Sequence, residues 1–307
     1  MHRRAKPATT LIVALAPVEA KPDTPMRILS IQSHVAFGHV GNASAVFPMQ
    51  RLGVEVWPIH TVQFSNHTGY GAWRGRVFDG PMIEDLVLGI AERGVLGQCD
   101  GVLSGYMGSA DIGTAIVRAV AAVRSANPKA LYCCDPVMGD TDRGIYVRPG
   151  IPEFLRDQAL PAADIVTPNQ FELNFLSGLP TGTLGEAKAA LAAIQALGPR
   201  VVLVTSLVTE DTPSESIDLM AGEGGLFWRL RTPRLALDVN GAGDAIAALF
   251  LVHYARTGSA ALALGMAGAS VYGLLRRTAE AGSREILTVD AQDEFVAPSE
   301  TFPVEPV

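Results

Sequence analysis

Cysteine is scarce in this sequence: Cys99, Cys133 and Cys134 are the only three among 307 residues. An odd count without metal-ligand spacing excludes a disulfide scaffold and a zinc module, and the Cys133-Cys134 pair falls in an apolar, strand-like run. These read as buried thiols in a reducing compartment, the cytoplasm. Positive charge is also short, with 24 Lys and Arg against 31 Asp and Glu, a net charge of −7. No basic stripe is available for nucleic acid, so a small-molecule partner is expected. No apolar run is long enough to cross a bilayer, so no membrane partner is expected. A Gly-x-x-x-x-Gly-Lys-Ser/Thr loop and a His-Glu-x-x-His pair are both missing, and the six histidines form no metal cluster by spacing. ATP bound by this chain must therefore be held without a Walker loop. Linkers, internal repeats and low-complexity tracts are missing too.

What remains is ordinary globular composition, 48% hydrophobic with 31 glycines and 20 prolines. One large α/β domain over residues 26–307 is the expectation. The first 25 residues carry His2-Arg3-Arg4-Ala5-Lys6 and then Leu11-Ile12-Val13-Ala14-Leu15-Ala16, which has the outline of a secretory signal. The apolar part is short and proline-interrupted, and a clean strand pattern begins at Met26. The expectation is an upstream start or a disordered extension. Asn42-Ala43-Ser44 and Asn66-His67-Thr68 match the glycosylation pattern, but both have a better reading below.

Along the chain, Arg27 to Ser33 reads as a strand, Gly38 and Gly41 as a loop, and Asn42 to Arg51 as a helix. A second strand follows from Val54 to Ile59. Residues 63–80 have no periodicity and read as a long functional loop. Helical spacing marks 82–93, 110–125, 169–177 and 184–197, and strands fall at 101–105, 130–134, 164–167 and 200–205. This alternation implies a parallel sheet covered on both faces. After Ser206 the order changes: Ile217-Asp218-Leu219-Met220 and Leu226 to Leu230 flank Glu223-Gly224-Gly225 as an antiparallel hairpin. Two Ala-rich helices, 243–256 and 259–277, follow.

The stretch Asp238-Val239-Asn240-Gly241-Ala242-Gly243-Asp244 reads as a glycine turn opening the first of those helices. The amides of residues 241–244 can face one concavity, where the helix dipole favours an anion such as phosphate. Asp244, in the first turn, is placed to accept a proton from a hydroxyl attacking phosphorus. The plainer reading is an N-terminal cap at a loop-to-helix junction. Polar residues that follow parallel strands lie where such sheets bind ligands. In Cys134-Asp135-Pro136-Val137-Met138-Gly139-Asp140 two carboxylates follow a strand, as ligands or as turn residues. Asn169 and Glu172 stand three apart at a helix start, which suits a capping box and leaves open a Glu facing metal-bound water. Thr205 and Ser206 end a strand, as nucleotide contacts or as a turn.

Taken together, these residues resemble the ribokinase superfamily, in which Gly-Ala-Gly-Asp forms an anion hole beside the catalytic base. Asp238-x-x-Gly241-Ala242-Gly243-Asp244 and Asn169-x-x-Glu172 match its two elements in order. Ser30 to Val35, Val40-Gly41-Asn42, Val62 to Tyr70, Leu103-Ser104-Gly105-Tyr106 and Cys134 to Asp140 are similar to the pyridoxal kinases of that superfamily. The resemblance spans Met26 to at least Ser283. It implies a ribokinase-like three-layer α/β/α sandwich with a mostly parallel central sheet and an antiparallel C-terminal portion. It also implies ATP-dependent phosphorylation of the pyridoxal 5′-hydroxymethyl group, with magnesium as cofactor, potassium as a candidate monovalent cation, and a homodimer. On this reading Asp244 is the base and Gly241, Ala242 and Gly243 the anion hole. Ser33, Val40, Thr68, Gly69 and Tyr106 surround the ring, with Asp244 beside the reacting group. Asp135, Thr167, Asn169, Glu172, Thr205, Ser206, Asp238, Val239 and Asn240 face the nucleotide, and Asp135, Asp140 and Glu172 face the metal. Two departures stand out: Asn240 where many members have threonine, and no hydroxyl in Ala245-Ile246-Ala247-Ala248. The alternatives are a hydroxymethylpyrimidine kinase and a non-catalytic vitamin B6 reservoir.

Overall fold

The structure, a computed structural model, describes residues 25–307. The expectation for the N-terminal extension thus lies, but for its last residue, outside the described residues. The sheet is built from strands whose alternate residues enter two separate cores. On β1 (Arg27–Val35), Leu29 and Ile31 enter one core and Ile28 the other. β5 (Leu131–Cys134) sends Cys134 to the first and Cys133 to the second, and β9 (Val201–Leu207) divides Val202 and Val204 from Val201 and Leu203 in the same way. Residues buried on both faces read as unbroken apolar runs, which is why these strands lack polar alternation. All three cysteines are buried free thiols.

Ten strands form this sheet in the order β12-β11-β10-β9-β8-β5-β4-β1-β2-β3. The strands β2 (Glu55–Phe64), β1, β4 (Gly101–Ser104), β5, β8 (Ile165–Val166) and β9 run parallel, and β10 (Ser216–Glu223), β11 (Leu226–Pro233) and β12 (Val304–Pro306) continue antiparallel. Helices α2 (Gly80–Glu92), α3 (Ala110–Ala126), α6 (Gln170–Ser177) and α7 (Leu184–Gln195) supply the first core. Helices α1 (Asn42–Arg51), α8 (Ala242–Thr257) and α9 (Ala260–Glu280) supply the second. This is the three-layer arrangement with an antiparallel end that the alternation and the hairpin motif imply.

Three local features differ from the sequence reading. β2 runs on to Phe64 although Pro58 lies inside it. The edge strand β3 (Gly75–Val77) pairs only with Val62 to Phe64, so the donor that Pro58 lacks is not needed on that side. A helical segment, α4 (Ile151–Phe154), a wide turn Leu155–Ala159 and α5 (Leu160–Ala162), follows a left-handed Gly150. Pro152 and Pro161 mask its periodicity. A small hairpin of β6 (Gly139–Asp140) and β7 (Gly144–Ile145) stands apart from the main sheet, too short to leave a pattern.

Candidate active site

At the C-terminal ends of the parallel strands lies a cleft of about 750 Å³. One end of it is the start of α8. Gly241 precedes the helix with φ 92°, a left-handed value, and a Cβ there would collide with the His39 carbonyl oxygen. Only glycine fits both demands. The Ser44 hydroxyl donates to the Gly241 carbonyl at 2.7 Å, which ties the starts of α1 and α8 together. Gly243 faces open space, and Asp244 stands in the first turn. Burial raises the Asp244 carboxyl to about 6, partly offset by a hydrogen bond from the Gly41 amide. At neutral pH it is mostly ionised and has the basicity to take a proton.

The tips of β5 and β8 form the next stretch of wall. Asp135 is buried, and Thr167 donates its hydroxyl to one Asp135 oxygen at 3.1 Å. Burial first, then the nearby Glu172 and Asp244 carboxylates, push the Asp135 carboxyl well above its usual range. Asn169 caps α6 by accepting from the Glu172 amide at 2.9 Å, while Glu172 Oε2 accepts from the Asn169 amide at 2.9 Å. Both halves of the capping box are therefore present. Glu172 also reaches across the cleft wall, where its Oε1 accepts from the Met138 amide at 2.9 Å, and Asn169 donates to the Gly139 carbonyl at 2.8 Å. Burial raises the Glu172 carboxyl to about 7 against the lowering effect of those amides. Asp140 is held by Arg143, whose amide and Nε donate to it at 2.7 Å each, and Arg143 lies over the Tyr146 ring at 4.9 Å. Burial alone would raise the Asp140 carboxyl, but the Arg143 hydrogen bonds and charge bring it below its ordinary value.

On β9 the register shifts by one residue against β10 between Asp218 and Met220, a bulge at Thr205 and Ser206. Ser206 has φ 55°, alone among the described non-glycine residues in being positive. A bulge re-aims side chains, and here both hydroxyl residues line the cleft.

The opposite wall consists of the ends of β1 and β2 and the loops that follow them. Ser33 and Val40 are buried, Tyr106 is half-buried, and Thr68 and Gly69 lie on a short exposed turn. Val62, Phe64 and His67 complete that side. Behind it Asn42 is buried and donates to the Ile59 carbonyl at 2.9 Å while accepting from Ser30 at 2.7 Å. It is a structural brace, and no glycan could reach it.

Every site residue expected from the sequence lines this one cleft except Asp238, which is exposed outside it. The wall also includes Arg143, Tyr146, Arg234, Val271, Tyr272 and Leu275, none of them expected. Arg143 had a usable signal, since Asp140-Thr141-Asp142-Arg143-Gly144 is a turn with an acid and a base three apart. The α9 residues had none, because their spacing only marks a packed helix. Among the described residues, no three His, Cys, Asp or Glu side chains converge closely enough to hold a metal by themselves. Of the three carboxylates expected at a metal, Glu172 is taken up by backbone amides and Asp140 by Arg143, whereas Asp135 has one hydroxyl partner. That donor set suits a hard cation that keeps water and phosphate oxygens and takes one or two carboxylates.

A model of the phosphomethylpyrimidine kinase family matches residues 98–289. Pyridoxal kinase PdxY of Granulibacter bethesdensis is 63% identical over 281 residues, covering 90% of this chain and 98% of the relative. Pyridoxal kinase PdxY of Deinococcus radiodurans is 56% identical over 292 residues, 93% of this chain and 98% of the relative. Among solved structures, pyridoxal kinase from Leishmania donovani in complex with ADP and pyridoxamine superposes with a TM-score of 0.85 at 31% identity, covering 92% of this chain and 99% of that one. No described helix is long and apolar enough to cross a membrane.

Proposed function

This chain belongs to the pyridoxal kinase family, and we propose that it transfers the γ-phosphoryl group of ATP to the 5′-hydroxymethyl group of pyridoxal. The observation that carries this reading is the position of Asp244. A carboxylate raised to about 6 stands beside a glycine turn at a helix start, inside the same cleft as Ser33, Val40, Thr68 and Tyr106.

In this reaction an alcohol oxygen attacks phosphorus in line, charge spreads over the phosphoryl oxygens, and the hydroxyl proton leaves late. Asp244 takes that proton. The amides of Gly241, Ala242 and Gly243 face the spreading charge, aided by the α8 dipole. Ser33, Val40, Thr68, Gly69 and Tyr106 hold the ring so that the hydroxymethyl oxygen points at Asp244. Thr167, Asn169, Thr205, Ser206, Val239 and Asn240 border the nucleotide, with Val271, Tyr272 and Leu275 as an apolar wall.

Magnesium would be held by Asp135 with Asp140 near it, and it would supply neutralisation of the phosphate charge. Glu172 orients this region through the Met138 and Asn169 amides. Arg143 neutralises Asp140 and is one of two arginines on a wall that also carries Asp135, Glu172 and Asp244. We extend the reading to potassium as an activating monovalent cation, to a homodimer and to the cytoplasm. Rates in potassium against sodium, sedimentation, and fractionation of cells check these in turn.

The deciding experiment is steady-state turnover with Mg-ATP against pyridoxal, pyridoxine, pyridoxamine and hydroxymethylpyrimidine, following ADP and the phosphorylated product together. Matched ADP and pyridoxal phosphate are expected. The pyrimidine is included because the matching family model is named for a phosphomethylpyrimidine, the phosphorylated form of that alcohol. A preference for it would overturn the reading, and tight pyridoxal binding without turnover would make the protein a reservoir.

A further inference from the structure

The loop side of the cleft is held together by a residue distant in sequence. The loop at 36–41 and the loop at 65–74 are joined at their base, where the Ala36 and Phe37 amides donate to the Phe64 and Ser65 carbonyls at 2.9 Å. Their tips meet at Glu285, which follows α9. The Tyr70 hydroxyl donates to Glu285 Oε1 at 2.6 Å, and the His39 amide donates to Glu285 Oε2 at 3.1 Å. Gly38 lies so close to this carboxylate that any side chain there would overlap it. The Glu285 backbone is itself fixed, because Ser283 Oγ donates to the Glu285 carbonyl at 2.6 Å and accepts from its amide at 3.1 Å. Arg284 lies over the Tyr70 ring at 5.4 Å, and Phe37 meets that ring edge-on at 6.1 Å.

Glu285, Tyr70 and His39 do not line the cleft, yet Val40 beside His39 does, as do Thr68 and Gly69 beside Tyr70. We infer that Glu285 is a positioning residue for the ring side of the site, one carboxylate that sets the distance between the two loops enclosing the substrate. It acts through Tyr70 and His39 and touches no reacting atom. The His39 side also leads to Asp244, through the Gly41 amide that hydrogen bonds the base. The identity of the substrate rests on the pyridoxal kinase reading, whereas the link between the loops does not.

The test compares E285A, E285Q, Y70F and the double variant Y70F/E285A with the parent. It reads KM for pyridoxal and for ATP, pyridoxal binding by titration, melting temperature, and amide hydrogen exchange at 36–41 and 65–74. Loss of a charge-assisted hydrogen bond predicts that E285A raises the pyridoxal KM and Kd about tenfold and the ATP KM by less than about twofold. Exchange should quicken in both loops, and the melting temperature should stay near the parent's because the contact is at the surface. Y70F should give a smaller change in the same direction with faster exchange at 65–74 only, and E285Q, which keeps one acceptor oxygen, should fall between. Both partners act in one contact, so the double variant should be no worse than E285A.

Unchanged pyridoxal binding in E285A, an equal rise in both KM values, or additivity in the double variant would overturn the positioning role. If the parent fails to phosphorylate pyridoxal, the proposed function fails instead. Exchange at the two loops still decides the role of Glu285 in that case.

Discussion

The two walls of the cleft are built in different ways. The phosphate side stands on strand tips and helix starts: Asp135 on β5, Thr167 after β8, Asn169 and Glu172 opening α6, and Asp244 opening α8. The ring side is completed by loops beyond the ends of β1 and β2, with Thr68, Gly69 and Tyr70 exposed and joined to the rest through Glu285. Fixed charges lose little by being rigid, so phosphoryl-transfer groups sit where packing determines their rotamers. A ring-selecting wall can vary without disturbing the core, and loops permit that. Where a side chain is tied into the wall by hydrogen bonds, function and stability should therefore fail together on the phosphate side, and separately on the ring side.

The largest effect is expected from Asp244→Asn. Turnover should fall by about a thousandfold while ATP and pyridoxal binding persist, since the proton acceptor is lost and the shape is kept. In the parent, kcat/KM should decline on the acid side through an ionisation near the raised value of about 6. The stability sign is opposite. The folded value lies above the ordinary 3.8, so the ionised carboxylate costs stability fully above about pH 6, and that cost is absent below about pH 4. The Asn variant should be more stable than the parent at pH 8 by about 1–3 kcal/mol, allowing for partial solvent screening, and equal to it near pH 4. Melts at both values check this, and an Asn variant of undiminished turnover would remove Asp244 as the base.

Next comes Glu172→Ala, which strips acceptors from the amides of Asn169 and Met138 inside the wall. A loss of about 2–4 kcal/mol is expected, together with a clear rise in the ATP KM. Set beside E285A, whose melting temperature should not move, it is the direct check on the contrast between walls. Equal thermal losses in the two variants would break that contrast.

What was legible in the sequence follows the same division. Gly241-Ala242-Gly243-Asp244 and Asn169-x-x-Glu172 are contiguous motifs whose chemistry is complete within one helical turn, so spacing alone exposes them. The strand and helix order was legible because each parallel strand enters two cores and each long helix one. Asp238 was carried in by its place in a motif, although it faces solvent outside the cleft. Glu285, Tyr272 and Leu275 were not legible as site residues. They reach the site through packing of α9 and the turn after it, and nothing local marks them.

The contrast extends along α8 itself. Nine residues beyond Asp244, His253 is 3% exposed, with both ring nitrogens lacking a partner. Burial first, then the charge of Arg256, lowers it to about 4. A histidine depressed in the folded state supports folding fully above about pH 6.5 and loses that support as pH falls toward 4. His253→Leu should therefore gain up to about 3 kcal/mol on the parent between pH 7.5 and pH 4, with unchanged activity at pH 7.5. An acid denaturation curve identical to the parent's would show that this end of α8 carries no hidden proton cost.

The smallest effect tests whether strain is stored on the rigid wall. Ser206 holds φ 55° at the β9 bulge, where an L side chain costs about 1 kcal/mol that glycine avoids. Glycine in turn makes the unfolded chain more flexible at a cost of about 0.5–1 kcal/mol. The two nearly cancel, so Ser206→Gly should shift the melting temperature by no more than about 2 °C. Its effect on ATP should be larger than on stability, because the bulge directs this hydroxyl residue into the cleft: an ATP KM raised about threefold, with the pyridoxal KM unchanged. Parental ATP kinetics would mean that the bulge serves to turn the strand and that Thr205 alone meets the nucleotide. A rise confined to ATP would mean that the strand keeps a strained residue for its hydroxyl, a second place on the rigid wall, after Asp244, where function can be removed without loss of stability.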